Sequence, residues 1–561
     1  MDDVPLLEPD LEQFLLQVYF KMAQTQYPFM IKHEILQWAE LRRQGAGAFY
    51  GEARWKAFFV YMDFYHLATT RYLPHVLETS DDLIRAQAYL LLTVYALHMT
   101  SREAIVALSS CSIRFCVAAR LHLKEEEPKP VTPETLIQIQ HRRRIFWCAY
   151  AIDRSICSVY DLPVSVADHH ITVPYFDNID DDQLHDVALW PSTRNSNQTA
   201  RGVAPTSVLA ALHVIAARQL ESEIHDTLLS KDLTPESPAV AAWRERMFDK
   251  LKDWNAHSRR STEPSQIGYT SLRWQRLIFV YGVIYLYRPT RSSACGPVGN
   301  VSVQACCQAL LMFRKFQMVR EIAQPWLGLL SQFQIGVTLL YCFFATPPSH
   351  WPPAYKSKDV PDAIRACSNT LAVLADRWIE AECVRDVFEV LAKEIPPGET
   401  WERPLRMQND SRAAIEADWT ALTNIVVDRP TLGMIREMII DNFVDNAEVQ
   451  NPLPNTGVRS AGGMAVADAG PLTDSSSHPV GDIGQRIAHS QTNSPPDPSV
   501  SNDDDGIAGG PFFQDGHADI FQDTDLQWSQ PDNTSTMDLD TQYYLTSETD
   551  GFREESDMTL H

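Results

Sequence analysis

No two of the ten cysteines form a C-x-x-C pair; Cys111, Cys116, Cys148, Cys157, Cys295, Cys306, Cys307, Cys342, Cys367 and Cys383 are scattered through apolar helical patterns. That spacing excludes the usual thiolate zinc sites and reads as small buried hydrophobes in a reducing compartment. The near-apolar runs, such as "AYLLLTVYALHM" at 88–99, are too short to cross a bilayer. "MDDVPLLEPD" lacks the basic start and apolar stretch of a secretion signal, so no membrane partner is expected. No segment alternates with period two between turn signals, which leaves no convincing sheet. Residues 451–561 have no lysine, and nineteen acidic side chains against three arginines give them −16 of the net charge of −24. Such a balance argues against a generic nucleic-acid binder with a basic face.

Catalytic signatures are equally scarce. There is no G-x-S-x-G and no P-loop, and His33-Glu34 lacks the second histidine of H-E-x-x-H. "GAGAFYG" at 45–51 follows a helix rather than a strand, the wrong context for a dinucleotide turn. Asp168-His169-His170 has no second ligand cluster to complete a metal site. We expect no enzyme and no resident metal.

What the chain does have is helical periodicity. Apolar residues three and four apart mark helices over 11–43 (broken at Tyr27-Pro28), 52–76, 81–99, 101–121, 207–230, 238–257, 271–287, 301–320, 327–345, 361–392 and 411–446. Ser101 is placed to cap one of these, and Thr132-Pro133 opens another that Asp161-Leu162-Pro163 closes. Residues 177–206 read as a long polar surface loop. The fold class is all-α: helix pairs packed into one large globule over 1–446. The Gly-, Pro-, Ser- and Asp-rich remainder, 447–561, cannot bury enough apolar surface to offset the entropy of ordering it and is expected to be disordered.

One helix carries charge where it should be buried. In "HRRRIFWCAYAIDR", at 141–154, Arg143, Phe146, Tyr150, Asp153, Cys157 and Tyr160 share a stripe, with a second apolar stripe beside it. A helix this apolar is touched on several sides. Arg143 and Asp153 are ten residues apart, about 15 Å along the axis, so they cannot pair with each other. Each must meet an opposite charge or a carbonyl on another helix, fixing which helices meet and in what register. A nuclear-import or nucleic-acid patch is the weaker reading, because the pattern runs on into the core.

The same stretch, followed by "LPVSVADHHITVPYF", resembles the middle homology region of the fungal binuclear zinc-cluster transcription factors. Arg142, Arg143, Arg144, Phe146, Trp147, Asp153, Arg154 and Pro163 carry the resemblance. The Gly-Arg that precedes the family's proline is replaced by Asp161-Leu162, which implies a differently shaped turn. "FLLQVYFKMAQTQYPFM", "RAQAYLLLTVYALHM", "VYGVIYLYRP" and "AIRACSNTLAVLADRW" extend the likeness over roughly 11–395. The family's six-cysteine zinc module precedes this region; here about ten residues do, none of them Cys, Lys or Arg. Zinc would therefore be expected only from a missing upstream exon; otherwise a DNA-bound zinc-cluster partner supplies DNA contact.

Near the end, "PFFQDGHADIFQDTDLQW" and "MDLDTQYYL" interleave carboxylates with Phe512, Phe513, Phe521, Leu526, Trp528, Leu539, Tyr543 and Tyr544. Mutual repulsion keeps such aromatics accessible to a basic-rimmed apolar groove, the physics of an acidic activation segment. With the resemblance, this implies a nuclear transcription regulator, with a metabolic or biosynthetic gene set as its expected target. Its partners would be coactivator or general transcription machinery, a second copy or a zinc-cluster protein, and a small-molecule effector. The alternative is a helical metabolite-binding or scaffold protein with a solubilising tail. If there is an effector pocket, Cys, Met and aromatic side chains within 271–287 and 301–345 are the expected lining.

Overall fold

The computed structural model describes residues 8–44, 66–184, 206–230, 237–263, 265–322, 324–395 and 405–440. The chain divides into two units, Met1–Pro452 and Leu453–His561. The second lies wholly outside the described residues, and so do "GAGAFYG" and every candidate activation residue.

Among the described residues there are fifteen α-helices and no strand, and the all-α class holds. They are α1 (Pro9–Met22), α2 (Lys32–Arg43), α3 (His66–Glu78), α4 (Asp82–Ala96), α5 (Arg102–Ala118), α6 (Pro133–Tyr160), α7 (Leu209–Ser230) and α8 (Pro238–Ser261). Then follow α9 (Leu272–Leu286), α10 (Pro297–Met318), α11 (Pro325–Ala345), α12 (Asp359–Ala375), α13 (Glu382–Lys393), α14 (Asn409–Ile425) and α15 (Arg429–Ile440). Consecutive helices pack on each other through much of the chain, while α6 also meets α4 and α11.

Local signals explain several of the helix starts. Ser101 accepts from the Ala104 N–H at 3.2 Å, and Thr132 forms a capping box with Thr135 ahead of Pro133. Between α4 and α5, Tyr89 stacks on Phe115 with ring centres 4.5 Å apart, and the Thr93 and Ser112 hydroxyls meet at 2.8 Å. Eight of the ten cysteines are buried, Cys111 is intermediate and Cys295 exposed. Burial pushes the Cys157 thiol up to about 12.

Three expectations need correction. The single helix over 361–392 is two, α12 and α13. They are separated by an extended Trp378 whose ring meets Trp326 edge-on at 5.3 Å. The helix over 411–446 is likewise two. Asp428 caps the second by accepting from the Thr431 N–H at 2.9 Å, and Pro430 cannot continue the first. The apolar runs were also underestimated: α11, at 21 residues, is long and apolar enough to cross a membrane by length and composition. Gln332, Gln334 and Thr338 interrupt it in the sequence. Yet 89% of its most apolar window is buried inside the body, where it serves as the central core helix.

Helix α11 touches α6, α10, α12, α13 and α15. Two of its glycines make that crowding possible. A Cβ on Gly336 would sit 2.5 Å from Phe388 Cε2 and 2.7 Å from Cys367 Sγ, and one on Gly328 would sit 2.7 Å from Phe313 Cζ.

Candidate functional site

The charged stretch of α6 holds a strap. After Tyr160 the chain turns and runs back along the helix as residues 162–184, antiparallel to it and pinned at successive turns. The Cys157 thiol donates to Pro163 O at 3.4 Å. Asp153 accepts from the Ser165 backbone N–H at 3.2 Å and from its hydroxyl. Tyr150 OH donates to Asp168 at 2.7 Å, and Trp147 Nε1 donates to Pro174 O at 2.9 Å. Gln140 exchanges two bonds with Asp177, 2.7 and 2.8 Å long. The strap returns its own side chains to the core, with Val173, Phe176, Ile179 and Leu184 all buried.

The arginines divide this work unequally. Arg143 clasps Glu127 with two bonds of 2.6 and 2.8 Å and reaches Tyr175 O at 3.3 Å. Arg144 is only 1% exposed; it pairs with Asp181, donates to Ile179 O at 2.8 Å and lies over the Phe176 ring. The second oxygen of Asp181 accepts the Lys32 N–H at 2.9 Å, so the pair also ties down the first turn of α2. Arg154 donates to Asp153 (2.8 Å), Asp168 (3.2 Å), Ser222 of α7 (3.1 Å) and Val166 O. Burial opposes the Arg154 charge, but Tyr150, Asp168 and Asp153 more than compensate and raise its pKa. Arg142 has only a 3.4 Å contact with Glu126 O, and burial lowers its pKa.

Phe146, Trp147 and Asp153 are buried as a central helix requires; Pro163 is exposed and contributes its carbonyl. The expectation that Arg143 and Asp153 find partners on other helices is corrected. Those partners lie on the loop after α5, on the strap, or next door in sequence. The reason is reach: a loop can bring a carboxylate or a backbone N–H to a chosen turn of α6 without spacing a whole helix away from it. Residues 177–184 accordingly belong to the strap and are not a free surface loop; 185–205 lie outside the described residues. The turn at Asp161 also departs from expectation. Asp161 adopts the left-handed conformation with φ 52°, which glycine takes most readily, and Leu162 N–H closes on Cys157 O at 2.9 Å. The turn thus keeps a glycine-type shape without a glycine.

Asp168-His169-His170 is absorbed into this architecture. Asp168 accepts from Tyr150, Arg154 and Ser222, while His169 and His170 are exposed with rings 4.1 Å apart. Among the described residues no three His, Cys, Asp or Glu side chains gather as metal ligands. The dispersed, mostly buried cysteines do not fit a binuclear zinc cluster.

The body also holds a partly open cavity of about 160 Å³ between α6, α7, α9 and α11. Aromatic residues of 271–287 line it as expected, among them Trp274, Tyr281 and Tyr285, and Phe313 joins them from α10. Among the described residues no cysteine or methionine does. Its charged members, Arg218 and Glu221 of α7 and Arg288, gave no signal in the sequence.

Residues 46–256 match the family model of the fungal specific transcription factor domain. The chain is 22% identical over 292 residues to Pyrimidine pathway regulatory protein 1 of Saccharomyces cerevisiae, covering 50% of this chain and 31% of the relative. It is 24% identical over 331 residues to Protein STB5 of the same yeast, covering 56% and 42%. It is 21% identical over 297 residues to the Positive regulator of purine utilization of Emericella nidulans, covering 45% and 27%. The chain therefore spans less than half the length of each of these relatives. No solved structure matches it. The family is one of transcription regulators, not enzymes.

Proposed function

From the premise that residues 46–256 are a fungal specific transcription factor domain, we propose that this chain regulates transcription in the nucleus, acting on metabolic or biosynthetic genes. The family match carries the reading. The pyrimidine pathway and purine utilization for which two relatives are named support its metabolic part. In this reading, residues 1–446 form the regulatory body and 447–561 the activating segment. The body meets a second copy or a zinc-cluster partner, and DNA contact belongs to a zinc-cluster module outside residues 1–561. Phe512, Phe513, Phe521, Leu526 and Trp528 stand among carboxylates in the sequence and engage coactivator or the general transcription machinery; Leu539, Tyr543 and Tyr544 continue the same pattern.

The test is a fusion of the full chain to an unrelated DNA-binding domain. Reporter activity should rise well above background. Alanine at Phe512, Phe513, Phe521, Leu526 and Trp528 together should return it to background without changing the melting temperature of the body. A full-chain fusion that stays at background, though expressed and nuclear, would refute the activating role.

A further inference from the structure

We propose that Thr132 accepts phosphate from a proline-directed protein kinase, and that the phosphorylated side chain tightens the first turn of α6 at the far end of the strap. The site belongs to the body and does not depend on the activating segment.

Residues 130–133 are Pro-Val-Thr-Pro. Capping accounts for half of that pattern: Thr132 is the N-cap of α6 and Pro133 its first residue. Pro130 and Val131 are left over. An apolar residue before a cap often packs onto the fourth position of its helix. Here that position, Leu136, is buried against Ile179 and Leu184, and Val131 stays 79% exposed, the most exposed large apolar side chain among the described residues. A kinase groove that selects proline directly after the acceptor, and a second proline two residues before it, uses the whole pattern.

The segment is also presented. Lys129 to Glu134 are all exposed, and residues 127–132 belong to no helix. Thr132 is already extended, with φ −122° and ψ 161°, as the residue before a proline prefers. Its hydroxyl is held only by long bonds to Thr135, 3.3 Å from the N–H and 3.5 Å to the side chain, at a helix end where opening costs little. Pro235-Glu236-Ser237-Pro238 repeats the pattern, but Ser237 is half-buried. Thr346 also precedes a proline and is 1% exposed.

In the transfer, Thr132 Oγ1 attacks the γ-phosphorus of Mg-ATP. The new O–P bond replaces the bond to the β–γ bridging oxygen, ADP leaves with that electron pair, and the hydroxyl proton passes to the kinase's base. The product brings a near-dianion with three acceptor oxygens to the positive end of α6. Exposed Lys129 lies three residues away to balance it. The turn so firmed carries Leu136 and Ile137 against Ile179 and Leu184, and Gln140 against Asp177. Phosphate at Thr132 therefore acts on the seat of the strap.

The full chain is incubated with a purified proline-directed kinase of the mitogen-activated class and Mg-ATP, and phosphate is located by fragmentation mass spectrometry. The folded chain should gain phosphate at Thr132. Pro130→Ala and Pro133→Ala should each lower kcat/KM there by at least about tenfold, the value of one lost pocket contact. Thr132→Asn keeps a cap and should gain none at that position. Deuterium uptake over 134–137 should slow about two- to fivefold on phosphorylation, the effect of an anion at a helix start, and uptake over 177–184 should fall with it. No phosphate at Thr132, phosphate there only after thermal unfolding, or transfer indifferent to both prolines overturns the site. Unchanged or faster exchange at either segment overturns the tightening of α6.

Discussion

Arg142, Arg143 and Arg144 are indistinguishable as letters, and their surroundings separate them. Arg144 is almost wholly enclosed with Asp181, whereas Arg142 has one long carbonyl contact. Removing one member of a buried pair leaves a stranded charge and costs roughly 3–5 kcal/mol. Asp181→Ala should therefore lower the urea unfolding free energy by about that much, and Arg142→Ala by less than about 1 kcal/mol; similar losses in both would contradict the strap's geometry. Two histidines add a pH dependence. Burial, with Arg144 nearby, pushes His141 down to about 4, and burial beside His257 does the same to His213, from an ordinary 6.5. Between those values the unfolded chain binds protons that the folded chain refuses. Stability is thus intact above about pH 6.5 and falls as pH drops toward 4, by up to about 3 kcal/mol for each histidine. Urea midpoints at pH 7.5 and 5 measure this, and His141→Gln with His213→Gln should flatten the difference.

At the scale of an element, α6 is set by its two ends and by what lies along it. Asp161 sits in a left-handed turn and also accepts from Arg429, at the first residue of α15. Asp161→Gly should be close to neutral, while Asp161→Ala should cost about 1 kcal/mol, because alanine tolerates that conformation poorly. Thermal unfolding of the pair checks the order. Helix α11 has the opposite constraint, a shortage of room. Gly336→Ala drives a methyl into Phe388 and Cys367, and an overpacked core of this kind should lose about 1–3 kcal/mol. A variant as stable as the parent would mean that α13 can retreat from α11. The caps at Ser101 and Thr132 were readable because a cap is local: one hydroxyl and the next turn's N–H suffice. The break at Trp378 was not, because no proline or glycine marks it. Its ring contact with Trp326, 52 residues earlier in the sequence, accompanies the extended backbone there.

Across the whole body, the family match ends at residue 256, but the packing does not. Helices α7 and α8 both lie against α9, and α6 meets α11. Trp326 of α11 donates to Tyr160 OH at 3.2 Å and Gln334 donates to Val159 O at 2.9 Å. A chain stopped at 256 would expose those apolar faces. It should lose cooperative unfolding and aggregate, as monitored by calorimetry and light scattering; a two-state melt from such a truncation would show that the matched region is a domain by itself.

Composition and spacing alone determined that the body is helical, that α6 is apolar on more than one side, and that the charges set into it need partners. Period and hydropathy are local quantities, and an enclosed helix must be apolar on more than one side. The three-dimensional arrangement alone decided who answers those charges. Asp181 meets Arg144 across 37 residues of sequence, and Glu127 meets Arg143 across 16. It alone also decided that a cavity of about 160 Å³ opens between α6, α7, α9 and α11. Ion pairs and cavities depend on distances between segments, which a linear pattern of residues does not contain.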